Sequence, residues 1–188
     1  MSYIVLILIY FYNYKLIRIQ RKFLRKEYID PLTGLYNRHF LQEIAKPELR
    51  ATEELSRGYV VFFMDVDNLK DINDTKGHYM GDMLLSIVGE TIRKTLRKGL
   101  DIAIRYGGDE FLLIAPIKVC SEALTIVHRL EASFDSIDGA QEIKPSVSIG
   151  FACFPEDGKD LDELIRIADQ RMYSIKRKKK TSGDFHKG

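Results

Sequence analysis

The chain has 188 residues, room for one domain and an appendage, with 30% charged and 45% hydrophobic residues, the balance of a globular protein that buries a core. The formal net charge is +2, but residues 1–29 hold six basic side chains against one acidic, residues 176–188 do the same, and the body between them carries a net charge near −8. An acidic body excludes a nucleic-acid-binding face, which needs clustered Lys and Arg on the folded domain, and it suits a metal-using site.

Residues 2–14, SYIVLILIYFYNY, are apolar and aromatic, and a basic stretch follows at once. The run is shorter than the ~20 residues of a spanning helix. It has no basic leader and no small-residue cleavage site, which argues against a cleaved signal peptide. Three readings stand. It is the last part of a membrane helix, a short interfacial anchor, or a first helix folded onto the domain. The basic residues just after it favour the first and place residues 1–26 against the cytoplasmic face of the cell membrane; the alternative is a cytoplasmic protein. Residues 15–29 continue as a linker helix, with Leu16, Ile19, Phe23 and Ile29 on one face. The expected organisation is an apolar anchor and basic linker over 1–29, a catalytic domain over 30–180, and a polar flexible tail over 181–188.

Within the body, Tyr59 to Met64 form a continuous apolar run that turns abruptly acidic at Asp65 and Asp67. Such a run reads as a buried central strand, with the acids at its C-terminal end. An amphipathic helix follows, with Met83, Ile87 and Thr91 on one face, Leu84, Val88 and Ile92 beside them, and its end near Gly99. Ile102–Ile104 and Phe111–Ile114 read as the strands of a hairpin bent at Gly107–Gly108, beside Asp109 and Glu110. A second helix starts after Ser121, a candidate N-cap, with Glu122 in its first turn. A strand over PSVSIGFACF and a last helix, with Leu161, Leu164, Ile165, Ala168, Met172 and Ile175 inward, complete the order. Cys120 and Cys153 show neither metal spacing nor a secreted framework, and read as reduced thiols in the core.

This order, βαββαβ with added helices, predicts an α+β ferredoxin-like sheet of the polymerase-palm or nucleotide-cyclase kind, preceded by the N-terminal apolar helix. In that topology the end of the first strand, with Asp65, lies beside the hairpin turn, with Asp109 and Glu110. Left alone, clustered carboxylates repel one another and resent burial. With Mg²⁺, or Mn²⁺ in its place, they become ligands, since such cations take oxygen donors and substrate phosphates. Two cations can activate an attacking oxygen and stabilise a leaving one. Lys70 lies one turn beyond, placed to meet a phosphate; Asn73, His78 and Asp82 follow, with donors and acceptors that suit a base edge.

The chain resembles the GGDEF-domain diguanylate cyclases from about Tyr28 to Lys180, through DPLTGLYNR (30–38), FFMDVDNLKDINDTKGHYMGD (62–82), RYGGDEF (105–111), VSIGFACFPEDGKDLDELIRIAD (147–169) and MYSIK (172–176). The resemblance implies condensation of two GTP into cyclic di-GMP with release of two pyrophosphates, across a homodimer whose domains each bind one GTP. It implies Asp65, Asp109 and the Val66 carbonyl as metal ligands, with Glu110 completing the acidic pair and Asp109 and Glu110 as catalytic carboxylates. Lys70 matches the transition-state lysine, Asn73, His78 and Asp82 the substrate positions, and Lys176 the triphosphate lysine. The chain departs from the family at Leu69, where an aromatic is usual, and at Lys179–Lys180, where Gly-Arg is common; Lys180 keeps the charge without the planar fork. The family's inhibitory Arg-x-x-Asp reads Lys98–Gly99–Leu100–Asp101, with Arg97 one residue out of register. The alternative is an inactive GGDEF module that binds GTP or cyclic di-GMP as a receptor; such modules usually lose a signature residue, and this chain keeps them.

Overall fold

The computed structural model describes residues 27–54, 58–137 and 144–182. The expected N-terminal apolar helix lies outside the described residues. Five strands form one sheet in the order β1-β3-β4-β2-β5: β1 (Tyr36–Asn37), β2 (Tyr59–Val66), β3 (Ile102–Arg105), β4 (Glu110–Pro116) and β5 (Val147–Phe154). β2 runs antiparallel to both β4 and β5, and β3 antiparallel to β4. That arrangement, with helices between β2 and β3 and between β4 and β5, is the expected split βαβ sheet. β1 is an addition at the edge, parallel to β3.

From Arg38 to Glu54 the chain is helical, which its composition did not announce. Asn37 starts α1 (Arg38–Phe40) by accepting a hydrogen bond from the Phe40 N–H at 3.0 Å; a π-helical turn (Leu41–Ala45) and α2 (Lys46–Glu54) follow. α3 (Leu69–Lys76) and α4 (His78–Thr95) meet at Gly77, whose φ of 85° is open to glycine at little cost. α5 (Glu122–Asp135) lies between β4 and β5, and α6 (Leu161–Ser182) closes the described chain, two residues past the expected domain boundary.

The alternation of side chains along β2 sorts the core into two layers. Val60, Phe62, Met64 and Val66 pack with Leu84, Val88 and Ile92 of α4 and Ala123, Ile126 and Leu130 of α5. Tyr59, Val61 and Phe63 face the opposite side, against Leu41, Leu161, Leu164, Ala168 and Met172. The buried row of α4 is Leu84, Leu85, Val88 and Ile92, whereas Met83, Ile87 and Thr91 are only half-buried. Ile175 of α6 is likewise exposed rather than inward.

Two local expectations differ. Ser121 makes no side-chain cap on α5; Glu122 folds back instead, and its Oε1 accepts from the Lys118 N–H at 3.2 Å. Cys120 and Cys153 are not separate thiols but a disulfide, because the turn before α5 comes down over the end of β5.

Candidate active site

Position parity decides which acids meet. Asp65 continues the Tyr59, Val61, Phe63 side of β2, so its carboxylate faces the layer of α6. Glu110 lies directly opposite Asp65 in the β2–β4 register and shares a side with Leu112 and Ile114. The Val66 N–H donates to the Asp109 carbonyl at 3.0 Å, which fixes the hairpin turn against the end of β2. The three acids inferred to converge do so.

The turn is held from outside. Arg105 donates to the Gly108 carbonyl through Nη2 at 2.9 Å and pairs with Asp30 at 3.2 Å. Asp30 also accepts from the Thr33 N–H at 2.8 Å and the Thr33 hydroxyl at 2.7 Å. The motif 30–38 therefore braces the hairpin. At Gly107 a Cβ would run into the Glu110 carboxylate, so the Gly-Gly bend leaves room for an acid as well as for the turn.

Asp65 is 8% exposed. Burial pushes its carboxyl up, the Lys176 ammonium works against this, and the negative Asp109 and Asp67 add to it, leaving it above the ordinary aspartate range. Burial also raises Glu110, with Asp109, Asp65 and Asp169 reinforcing the shift. A cluster that resists its own ionisation is short of positive charge. Hard oxygen donors at the rim of a buried strand fit a small divalent cation, and Asp65, Asp109, Glu110 and the Val66 carbonyl are the groups that could hold it.

The substrate-side candidates sit on the next two helices. Lys70 is exposed in the first turn of α3, directly past Asn68, a non-glycine residue with φ of 59° that bends the chain out of the sheet. Asn73 is half-buried on α3, and its Oδ1 is buried without a hydrogen-bond partner. It lies against Gly81 of α4, where any Cβ would collide with it. His78 and Asp82 are exposed on the first turns of α4, Asp82 next to that contact. A buried, unpartnered amide oxygen beside an exposed carboxylate is an arrangement that a base edge could complete.

α6 brings the cations. Gly150 of β5 has no side chain, and the backbone at Ala168 and Met172 rests directly on it. One turn farther on, Lys176 pairs with Asp65. Lys179 donates to Asp67 at 2.9 Å and to the Val147 carbonyl at 2.9 Å, and Lys180 is exposed on the Lys176 side of the helix. The contact of Asp67 with Lys179 was not foreseen; a run of five cations, 176–180, reads as a solvated end, and only the docking of the helix tells its members apart.

Asp101 is also committed differently from the inhibitory reading. Its side chain is 1% exposed and accepts from Arg97 Nη2 at 2.8 Å and from the Arg97 N–H at 2.9 Å, while Lys98 is exposed beside it. The arginine that looked out of register closes on the aspartate within the chain itself.

The family model "Diguanylate cyclase, GGDEF domain" matches residues 27–182. The chain is 36% identical over 163 residues to the bifunctional diguanylate cyclase/cyclic di-GMP phosphodiesterase MucR of Pseudomonas aeruginosa, covering 86% of this chain and 24% of that protein. It is 35% identical over 154 residues to the diguanylate cyclase DosC of Escherichia coli, covering 80% of this chain and 33% of DosC. The chain thus spans between about a quarter and a third of these relatives' lengths. Among solved structures, the GGDEF domain of TpbB from Pseudomonas aeruginosa superposes with a TM-score of 0.72 at 34% identity, covering 80% of this chain and 89% of that one. The coiled coil and GGDEF domain of DgcB from Caulobacter crescentus, in complex with c-di-GMP, gives 0.75 at 26% identity, covering 87% and 88%. With the match running through the whole catalytic body, the chain belongs to the GGDEF-domain diguanylate cyclase family.

Proposed function

We propose that the chain is a diguanylate cyclase, a nucleotidyltransferase that joins two GTP into cyclic di-GMP and two pyrophosphates. The observation that carries this reading is the facing pair Asp65 and Glu110, which burial and the neighbouring carboxylates hold above their usual range, with Asp109 beside them at the turn. Asp65, Asp109, Glu110 and the Val66 carbonyl would hold Mg²⁺, which when bound neutralises this charge and polarises the phosphate. Lys176 and Lys180 bind the triphosphate, Lys70 meets charge that develops during transfer, and His78 lines the nucleotide. Asn73 and Asp82 read the base, since a carboxylate accepts from guanine N1–H and the exocyclic amine, donors that adenine does not pair in the same way.

Each chain carries one acid cluster, whereas the product joins two nucleotides through two equivalent bonds. Turnover therefore needs two domains face to face, a homodimer in which each 3′-hydroxyl meets the other nucleotide's α-phosphate. Residues 1–26 lie outside the described residues, and no helix among the described residues is long and apolar enough to cross a membrane. The apolar run 2–14 and the basic stretch after it support attachment at the cytoplasmic face of a membrane. A chain lacking residues 1–26 is expected in the soluble fraction with its GTP binding kept, and a full chain that stays soluble without detergent would contradict the anchor.

The test is purified protein at high concentration with GTP and Mg²⁺, its products resolved by chromatography. Cyclic di-GMP and pyrophosphate are expected. A protein that binds GTP without forming product is a receptor, and the enzymatic reading then fails.

A further inference from the structure

Asp67 is an acid that the proposed chemistry leaves unused. Its side chain is fully out of solvent, yet it is well satisfied. It accepts from the Ser148 hydroxyl at 2.8 Å, the Ser146 hydroxyl at 2.7 Å and Lys179 Nζ at 2.9 Å, and its own N–H donates to the Ser146 carbonyl at 2.9 Å. Three elements meet at this one carboxylate: the end of β2, the start of β5 and the last turns of α6. A buried carboxylate held by that many donors is a tie, not a free base.

Apolar burial contributes little at the end of α6. Met172 is its last buried side chain; from Tyr173 to Thr181 the others are exposed, apart from Lys176 and Lys179, which are half-buried. Those two lysines lie three residues apart, on one side of the helix, and reach Asp65 and Asp67, two residues apart on one side of the β2 strand end. The five successive cations 176–180 also repel one another, so this helix end needs anions.

The two ties are not equivalent. Asp65 is a candidate metal ligand, and a cation there competes with the Lys176 ammonium for the same oxygens. A cation held by Asp65 would weaken that pair and would leave Lys176 available to a phosphate, at the cost of one tie on the helix. Asp67 points into a closed set of hydroxyl donors and keeps its lysine.

We propose that Asp67 and Lys179 form a latch that keeps the end of α6 seated on β2 and β5, so that Lys176 and Lys180 stand where the triphosphate of a bound nucleotide arrives. Lys179 is a positioning residue: it acts through its neighbours and touches no substrate. The inference rests on the GTP reading, and it concerns phosphate affinity, not turnover.

The test compares the full-length protein with Lys179→Met, in Mg²⁺, for binding of GMP and of a GTP analogue with a non-cleavable α–β bridge. The analogue is expected to lose about tenfold in affinity while GMP stays within about twofold, the scale of coupling between neighbouring groups. Lys179→Gln, which keeps a donor, should show the same pattern at smaller size and serves if the Met variant is poorly folded. In a Lys176→Met background, Lys179→Met should cost less than it does alone, because only Lys180 is left for the latch to place. Equal loss for both nucleotides, no loss for the analogue, or full additivity with Lys176→Met would overturn the latch. A wild-type protein that binds the analogue no more tightly than GMP would overturn it too. One that binds the analogue tightly yet makes no cyclic di-GMP sinks the turnover reading and leaves this inference standing.

Discussion

Two sets of acidic side chains in this molecule are treated in opposite ways. Asp30, Asp101 and Asp157 each receive an arginine: Arg105 at 3.2 Å, Arg97 at 2.8 Å and Arg171 at 2.7 Å. The hydrogen bonds from Arg171 hold the Asp157 carboxyl below its ordinary range, although burial opposes them. Burial pushes Asp30 up, but the Thr33 hydrogen bonds and the Arg105 guanidinium outweigh it and leave it low. At the end of β2, no arginine among the described residues forms an ion pair with Asp65, Asp109 or Glu110, and the Arg38 charge offsets little of the burial that raises Glu110. Asp65 has Lys176, a compact ammonium on a flexible stem, which a competing cation can displace. The braces and the proposed metal ligands thus differ less in burial than in whether the partner is forked and fixed or single and movable.

Breaking each set sharpens the contrast. The largest effect is expected at Asp109→Asn, which removes a ligand from the cluster without orphaning a lysine. Turnover measured by pyrophosphate release should fall at least ~100-fold, the scale of losing a group that stabilises developing charge, with the fold intact. Asp65→Asn is less clean, because it strands Lys176. Next in size is base choice. Wild-type protein should prefer GTP to ATP by on the order of 10³, because a site built for guanine's donors leaves buried groups unpaired with adenine. Gly81→Ala, which pushes the Asn73 amide out of its place, should cut that ratio roughly tenfold on the same reasoning. An unchanged ratio would remove Asn73 from base reading.

Arg105→Met attacks a brace instead. With its side chain 18% and that of Asp30 16% exposed, the pair is mostly buried. Stranding the carboxylate should cost about 2–3 kcal/mol, or roughly 5–10 °C of melting temperature for a domain of this size. A loss as small as that of an exposed pair would contradict the brace. The smallest effect is expected from the product. Arg97 already holds Asp101, and Lys98 offers a point charge without a fork. Added cyclic di-GMP should inhibit weakly, and less as salt screens Lys98; tight, salt-insensitive inhibition would show a working pocket.

The convergence of Asp65 with Asp109 and Glu110 was legible because the apolar run 59–64 could only be a central strand, and a hairpin beside it had to bring its turn to that strand's end. Side-chain partnership inside charged stretches was not legible. Lys179 looks like its neighbours until α6 settles on Gly150, and Arg97 looks misplaced until the turn at Gly99, with φ of 77°, brings it back onto Asp101. The short β1 and the π turn at Leu41–Ala45 carry too few residues for a period to show. The disulfide joins positions 33 residues apart, a proximity set by the sheet and α5 together.

The contrast between the two sets of acids can be tested in one titration. Asp65 and Glu110 have raised values in the folded state, so the folded chain binds protons that the unfolded chain does not. Without metal, their contribution to stability grows as pH falls from neutral through their raised values towards the ordinary carboxylate range. Asp30 and Asp157 have lowered values; their contribution is present above the ordinary carboxylate range and is lost as pH falls through the lowered values. Thermal melts across that range, with and without Mg²⁺, should show Mg²⁺ stabilising the protein near neutral pH, by about 2.7 kcal/mol at a hundredfold excess over its Kd. The gain should fade as the cluster protonates. It should vanish in Asp109→Asn and persist in Arg105→Met. Melts indifferent to Mg²⁺, or an equal gain in Asp109→Asn, would contradict the assignment of this cluster as a metal-dependent active site.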